Sequence, residues 1–458
     1  MSEHQRFNLK TVDDLRAALD RLGLSLPISE DFSALGAKVP LGDGGRWTLP
    51  NRFVVQPMEG VDAIEETGGP RDLTFRRYRR YAEGGAGLLW FEAIVASEDG
   101  RSNPRQLRIT DANLGEFRRL VDETREAAWR ANHHEIVTVV QITHSGRWSK
   151  PHGTPEPKLI HHNPELDAAC GADAATPLVT DDYLDALQDK FVAAAKTAAA
   201  AGFDGVEMKA VHGYFTGEML CAHTRPGKYG GDYENRTRFI REVTARAASE
   251  LGREHFVTAR LTMHEPSAYP YGWGVRPVAG SKEIDLTEPK RLARELCELV
   301  DMPVFNFSIG YPRFAPYMNR PHDNPLLGAP KPPEHPLEGV ARFQNVARET
   351  QAAIGKVPLA TAALSWLRHL MPYVAAGMVR DGWCQLIGQG RNAFAYPQAV
   401  NDLLQNGALD PNKCCVTCSM CSQIMKNVIG FNGCVVRDRE IYAAELKKGL
   451  GDKQPPAK

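Results

Sequence analysis

Eight short, β-rich apolar runs recur along this 458-residue chain, with longer stretches of helical character between them. The runs are Phe53–Pro57, Gly87–Ala93, Ile136–Thr143, Asp204–Lys209, Phe256–Thr262, Pro303–Ser308, Val357–Thr361 and Trp383–Gly388. Three of them contain LLWF, IVTVVQI and VTARL, which are nearly continuous in apolar residues. Such strands must be covered on both faces, the condition met in a parallel sheet wrapped by helices. Between the runs, Thr180–Ala201, Tyr233–Leu251 and Glu338–Ile354 read as helices. Thr180 or Asp181 is placed to cap the first, and Gly202, Gly252 and Gly355 follow the last apolar positions. Strand followed by helix, eight times over, predicts an α/β fold of the closed (βα)8 TIM-barrel kind. An open doubly wound sheet fits less well, because no strand is followed by G-x-G-x-x-G. The nearest stretch, GQGRNA at 388–393, lacks the third glycine and comes at the last strand.

The barrel is assigned to residues 41–407. Residues 1–40 form an N-terminal helical extension with one amphipathic helix near Thr11–Leu22. Residues 408–446 form a cysteine-rich, cluster-binding segment, and 447–458 a polar tail. Three connections are long: Lys150–Val179, Glu265–Leu286 and Tyr311–Pro336. They follow the third, fifth and sixth strands, on the face where barrels place their chemistry. The last is rich in proline and carries Tyr311, Phe314, Tyr317 and Met318. These loops are expected to wall or cover a small-molecule pocket, with surface decoration as the alternative for any one of them.

Lys and Arg number 55 against 56 Asp and Glu, a net charge of −1. A balanced chain has no general electrostatic reason to bind nucleic acid or an anionic membrane. No apolar run approaches the roughly 18 residues of a membrane span, and MSEHQRFNLK lacks a signal-peptide pattern. A soluble, cytoplasmic protein is expected. Of the nine cysteines, Cys170, Cys221, Cys297 and Cys384 are isolated, while Cys414, Cys415, Cys418, Cys421 and Cys434 crowd together. Crowding points to a metal or iron–sulfur site, not a disulfide scaffold. Thiolates two residues apart, as in Cys415-x2-Cys418-x2-Cys421, can converge on one centre, and Cys434 can close it from a later turn. Structural zinc usually takes two C-x2-C pairs, whereas three close cysteines and one distant suit iron–sulfur. Cys414 is the spare thiol.

Polar residues gather at the C-terminal ends of the runs. The first leads into Gln56-Pro57-Met58 and the second ends in Glu92-Ala93. The third ends in Gln141, before His144 and Arg147. The fourth reads GFDGVEMKAVHGYF over 202–215, followed by YGGDYENR at 229–236. The fifth carries Arg260, and the eighth leads into Gly390-Arg391. With GFDGVE, HGY and YGGxxENR in this order, the sequence resembles the old yellow enzyme family of FMN-dependent oxidoreductases over residues of roughly 50 to 405.

That resemblance implies FMN across the barrel mouth. Its phosphate is expected at Ala360-Thr361 and Gly390-Arg391, where backbone N–H groups and an arginine can hold a dianion. Pro57 and Met58 would line the ring and Gln141 its pyrimidine edge. Arg260 would face flavin N1 and O2, where a fixed cation stabilises the reduced anion. Without a flavin, Arg260 needs a buried ion pair with Glu207 or Glu92. Lys209 and His212 occupy the family's donors to a substrate oxygen, and Tyr214 its proton donor. Lys209 replaces the usual histidine, and its point charge favours an oxyanion or carboxylate. Glu59, counted with the cofactor-binding positions, stands where the family often has a small hydroxyl or thiol. A carboxylate there opposes charge on reduced flavin unless protonated or paired.

The implied activity is ene reduction of an α,β-unsaturated carbonyl compound, with NAD(P)H as reductant. The cysteine spacing resembles the iron–sulfur subgroup that includes trimethylamine dehydrogenase and 2,4-dienoyl-CoA reductase. It implies a 4Fe–4S cluster on Cys415, Cys418, Cys421 and Cys434. That subgroup continues into dinucleotide-binding domains, which this sequence does not contain. Electrons are therefore expected either directly from NAD(P)H or through the cluster from an external ferredoxin or flavoprotein. Oxidative dehydrogenation or demethylation of an amine is the alternative; it needs an aromatic cage for a cation, and Lys209 opposes one. A non-catalytic redox sensor is a third reading, against which the set Lys209, His212 and Tyr214 argues.

Overall fold

The computed structural model describes residues 3–427 and 430–450. Two short strands, β1 (Val39–Leu41) and β2 (Trp47–Leu49), form an antiparallel hairpin. Eight more follow: β3 (Phe53–Val55), β4 (Leu88–Val95), β5 (Val137–Thr143), β6 (Gly205–Ala210), β7 (Phe256–Thr262), β8 (Phe305–Ser308), β9 (Leu359–Thr361) and β10 (Leu386–Gln389). They close into a parallel barrel in the order β10-β3-β4-β5-β6-β7-β8-β9. Each falls on one of the eight predicted runs.

Side-chain parity along the strands explains both core and site. Val140 and Ile142 on β5, Met208 on β6, Ala259 and Leu261 on β7, and Phe305 and Phe307 on β8 face outward and join the core under the helices. The other parity faces inward and changes character along the barrel. Val137, Val139, Phe256 and Val304 form an apolar floor. Further along the same strands stand Gln141, Glu207, Lys209, Arg260, Asn306 and Ser308, all buried and polar. The floor is sealed by the hairpin, whose Val39, Leu41 and Leu49 pack on Leu88 and Trp90. Trp47 meets the Phe256 ring edge-on, with centroids 4.8 Å apart.

The expected helices form with local capping. Thr11 starts helix Val12–Leu22 through a reciprocal pair of bonds with Asp14. Thr180 caps Asp181–Ala200, and Asp232 caps Tyr233–Leu251. The helix expected from Glu338 begins earlier, at Pro336, because His335 caps it and proline suits the first helical position.

Two of the long loops are pinned as walls. Arg147 is fully buried and pairs with Asp167 at 2.5 Å and with Glu218, and it donates to His161 O at 3.0 Å. The Trp148 indole N–H donates to Tyr311 Oη at 2.8 Å and to Gly213 O at 3.1 Å. These contacts join the loops after β5 and β8 to the turn after β6.

The cysteine segment carries helices Met420–Asn427 and Arg439–Leu450. Its Asp438 pairs with Arg76 at 2.8 Å and with Arg80, on helix Asp72–Glu83. Ser419 Oγ donates to Asn324 O at 2.7 Å. Among the described residues, no helix is long and apolar enough to cross a membrane.

Candidate active site

The C-terminal end of the barrel interior is a continuous polar belt. Asn306 Nδ2 donates to Glu207 Oε2 at 3.0 Å and to Gln56 Oε1 at 3.1 Å. Gln141 donates to the other oxygen of Glu207, and Gln56 Nε2 donates to Thr361 O at 3.2 Å. Burial raises the proton affinity of Glu207, against the pull of Arg260 and these hydrogen bonds. Arg260 lies in the field of Glu207 but makes no ion pair among the described residues, and its Nε is buried without a hydrogen-bond partner. Neither Glu207 nor Glu92 forms the ion pair that would otherwise account for this arginine. Glu92 is instead held by Arg77, Tyr78 and the Gly60 N–H.

Lys209, His212 and Tyr214 converge above this belt. Lys209 Nζ lies 3.4 Å from Glu59 Oε1 and 4.0 Å from the centre of the Tyr214 ring. Glu59 is therefore paired, which answers the objection to a carboxylate at that position. Burial lowers the proton affinity of Lys209, while Glu59 supports its charge. His212 has φ of 64°, as does Gly213. A Cβ at Gly213 would lie 1.8 Å from the Tyr311 ring, so this left-handed turn requires glycine twice over. The turn brings His212 Nε2 to 2.8 Å from Ser308 Oγ and 3.5 Å from Asn319 Nδ2. Burial, then Arg260, Lys209 and Arg320, hold His212 well below its usual proton affinity, so it is neutral. Burial, then Glu59, raise Tyr214.

The other expected cofactor positions are only partly gathered. Pro57 and Met58 follow β3 at the mouth and are half-buried. Ala360 belongs to the apolar floor, and Thr361 Oγ1 donates to Gln344 on the surrounding helix. A small cavity instead lies between the ends of β9 and β10, lined by Ser365, Arg368, Gly388, Gln389 and Asn392 among others. Gly390 and Arg391 adjoin it; Arg391 donates to Pro321 O at 2.8 Å and leaves Nη1 buried without a partner. Orphaned guanidinium donors at Arg260, on β7, and at Arg391, just after β10, fit a ligand with an anionic head and a polar ring edge. FMN is such a ligand.

The cysteine segment packs beside this mouth. Cys415 N–H donates to Asn392 Oδ1 at 3.0 Å. Left-handed backbone at Thr417 (φ 49°) and Ser419 (φ 61°) turns the chain between cysteines. The Cys415 and Cys434 sulfurs accept the N–H of Thr417 at 3.4 Å and Arg437 at 3.3 Å. Burial pushes the Cys415 thiol up to about 12 and Cys434 to about 11, with Cys421 adding to both. The thiols of Cys415, Cys418 and Cys434 thus all feel Cys421. Among the described residues, no three His, Cys, Asp or Glu side chains are grouped to hold a single metal ion. Arg320 Nη1 donates to Ser422 Oγ at 2.6 Å and faces both Cys421 and Tyr214.

Ser308, Asn319, Arg320 and Arg368 were not singled out in the sequence. Ser308 has a signal there, since it continues the inward parity of Asn306. Arg368 sits in the loop after the seventh strand, a phosphate-binding place in barrels.

The model of the NADH:flavin oxidoreductase / NADH oxidase family matches residues 40–270. NADPH dehydrogenase of Bacillus pumilus is 32% identical over 43% of this chain and 55% of that protein. NADH oxidase of Thermoanaerobacter brockii is 29% identical over 48% of this chain and 33% of that protein. The match thus spans a third to about half of these relatives. Among solved structures, a 2-naphthoyl-CoA reductase complex aligns with a TM-score of 0.70, 19% identity, and 91% and 58% coverage of the two chains. Histamine dehydrogenase from Rhizobium sp. 4-9 aligns with 0.63, at 20% identity and 87% and 51% coverage. The old yellow enzyme homologue from Zymomonas mobilis aligns with 0.59, at 20% identity and 83% and 94% coverage. These structural likenesses establish the shared barrel. The family match extends over half the chain and takes in GFDGVE, HGY and YGGDYENR, so the chain belongs to the NADH:flavin oxidoreductase / NADH oxidase family of flavin-dependent oxidoreductases.

Proposed function

We propose that this protein is an FMN-dependent ene-reductase that uses NAD(P)H and acts on a small α,β-unsaturated carbonyl compound. The observation that carries this reading is the convergence of Lys209, His212 and Tyr214 above a polar mouth with orphaned arginine donors. Arg260 and Gln141 would meet the ring edge of FMN, Pro57 and Met58 its face, and Arg391 with the Gly390 turn its phosphate. When bound, FMN supplies hydride to the β-carbon of the alkene. Neutral His212 donates a hydrogen bond to the substrate oxygen, with its ring oriented by Ser308. Lys209 adds positive charge where the enolate oxygen develops. Tyr214 delivers its phenolic proton to the α-carbon. The walls pinned around Trp148 and Tyr311 hold the turn that carries His212 and Tyr214.

We assign Cys415, Cys418, Cys421 and Cys434 as ligands of a 4Fe–4S cluster. The spacing of the four cysteines and the N–H···S bonds to Cys415 and Cys434 support this reading. Such a cluster would open a one-electron route to a ferredoxin or flavoprotein beside the NAD(P)H route. Amine oxidation is less well supported, because Arg313 already covers the Trp148 face, 4.3 Å from its centre, and adds a cation near Tyr214.

Purified anaerobically, the protein should be yellow-brown and release FMN, iron and sulfide on denaturation. Stopped-flow mixing with NADH, NADPH or reduced ferredoxin, reading flavin and cluster absorbance separately, identifies the donor. A colourless preparation that cannot be reconstituted overturns the assignment. Lys209→Ala should weaken p-chlorophenol binding by about tenfold or more, the effect of losing a buried charge partner. An unchanged charge-transfer titration removes the role of Lys209.

A further inference from the structure

The backbone at Glu59 and Gly60 is held by two different parts of the chain. Asn432, two residues before Cys434, donates its backbone N–H to Gly60 O at 2.7 Å. Its side-chain amide donates to Glu59 O, also at 2.7 Å. From the other side, the Gly60 N–H donates to Glu92 Oε2 at 2.7 Å, and a Cβ at Gly60 would lie 2.1 Å from the Arg77 guanidinium. The peptide after Glu59 is therefore clamped between the second barrel strand and the cysteine segment. This leaves the Glu59 carboxylate against Lys209, whose ammonium lies on the Tyr214 ring.

We propose that Glu59 is a positioning residue of the proton-delivery site: it orients Lys209 against the Tyr214 ring and neutralises its charge. This rests on the reading of Tyr214 as proton donor. The charged groups facing the trio are Glu207 and Arg260 from the barrel, and Arg313 and Arg320 from the loop after β8; His212 is neutral. Burial first, and then Glu59, oppose ionisation of Tyr214, while Arg313 and Arg320 favour it. Glu59 is thus the carboxylate that acts on both Lys209 and Tyr214. The consequence is a site whose lysine charge is masked until a substrate oxygen competes for it.

The test uses the flavin-loaded Glu59→Gln protein, with p-chlorophenol and 2-cyclohexenone as probes. Without the masking carboxylate, p-chlorophenol should bind about tenfold tighter at pH 7, by the charge-transfer band. The alkaline limb of cyclohexenone reduction should move to lower pH, because Tyr214 loses its restraint. Glu59→Asp should restore both towards the parent protein, which a simple packing role would not predict. Unchanged or weaker phenol binding together with an unmoved limb overturns the proposal. A change confined to the flavin spectrum or to its reduction by NAD(P)H also overturns it, in favour of a flavin contact. If Tyr214→Phe reduces cyclohexenone at the parent rate, the donor reading fails, and the phenol titration still tests the hold of Glu59 on Lys209.

Discussion

Replacing Tyr214 by phenylalanine should slow alkene reduction by about 10²–10⁴-fold, the usual contribution of a positioned general acid. Reduction of the flavin by NAD(P)H should be unchanged. The ring that carries the Lys209 contact survives in this variant, so phenolate ligands should still bind. The two half-reactions, followed separately by anaerobic stopped-flow, check this. The pH dependence has a defined sign. Burial and Glu59 raise Tyr214 above its ordinary value, so the acid stays protonated through neutral pH. The oxidative half-reaction should lose rate only in the alkaline range, and Tyr214→Phe should abolish that loss. If both half-reactions proceed at the parent rate, Tyr214 is not the donor.

Arg147→Met should destabilise the fold by about 3–5 kcal/mol. The guanidinium lies fully buried between Asp167 and Glu218. Removing it leaves Glu218 in the interior without its cation. Burial already raises the proton affinity of Glu218, and Arg147 is the first influence opposing that rise. In the variant, Glu218 should be raised further above its unfolded value. An acid raised in the folded state favours folding at low pH and loses that contribution as pH rises through its folded value. The deficit should therefore be smaller at pH 5 than at pH 8. Urea unfolding at the two pH values measures it, and an equal, small deficit at both removes the structural role.

The barrel was legible because its strands obey a strong rule: covered on both faces, they show as short apolar runs separated by capped helices. The β1–β2 hairpin was not legible, because its strands are only three residues each and its apolar positions serve as a plug. Lys209, His212 and Tyr214 were found together because one turn carries them. Ser308, Asn319 and Arg320 arrive from a different strand and loop; the parity of its strand marks Ser308, and no local pattern marks the other two. The phosphate positions show the limit of strand-end reasoning. Ala360 belongs to the floor and Thr361 Oγ1 turns to Gln344, while the cavity is lined a few residues later, at Ser365 and Arg368. Of the three motifs whose combination is specific, YGGDYENR is largely architectural. Its Arg236 donates to Gly231 O at 3.0 Å and Leu220 O at 2.7 Å and pairs with Glu288 at 2.9 Å, while Asp232 caps a helix. Part of the signature therefore marks the scaffold, and the candidate site residues sit in the shorter stretch before it.

The Asn432 clamp has a bearing on biogenesis. During synthesis the eighth strand leaves the ribosome some forty residues before Asn432 does, so a nascent barrel can close while the Glu59–Gly60 peptide still lacks its outer support. The peptide that presents Glu59 to Lys209 is therefore completed only once Asn432 has been made and has reached it.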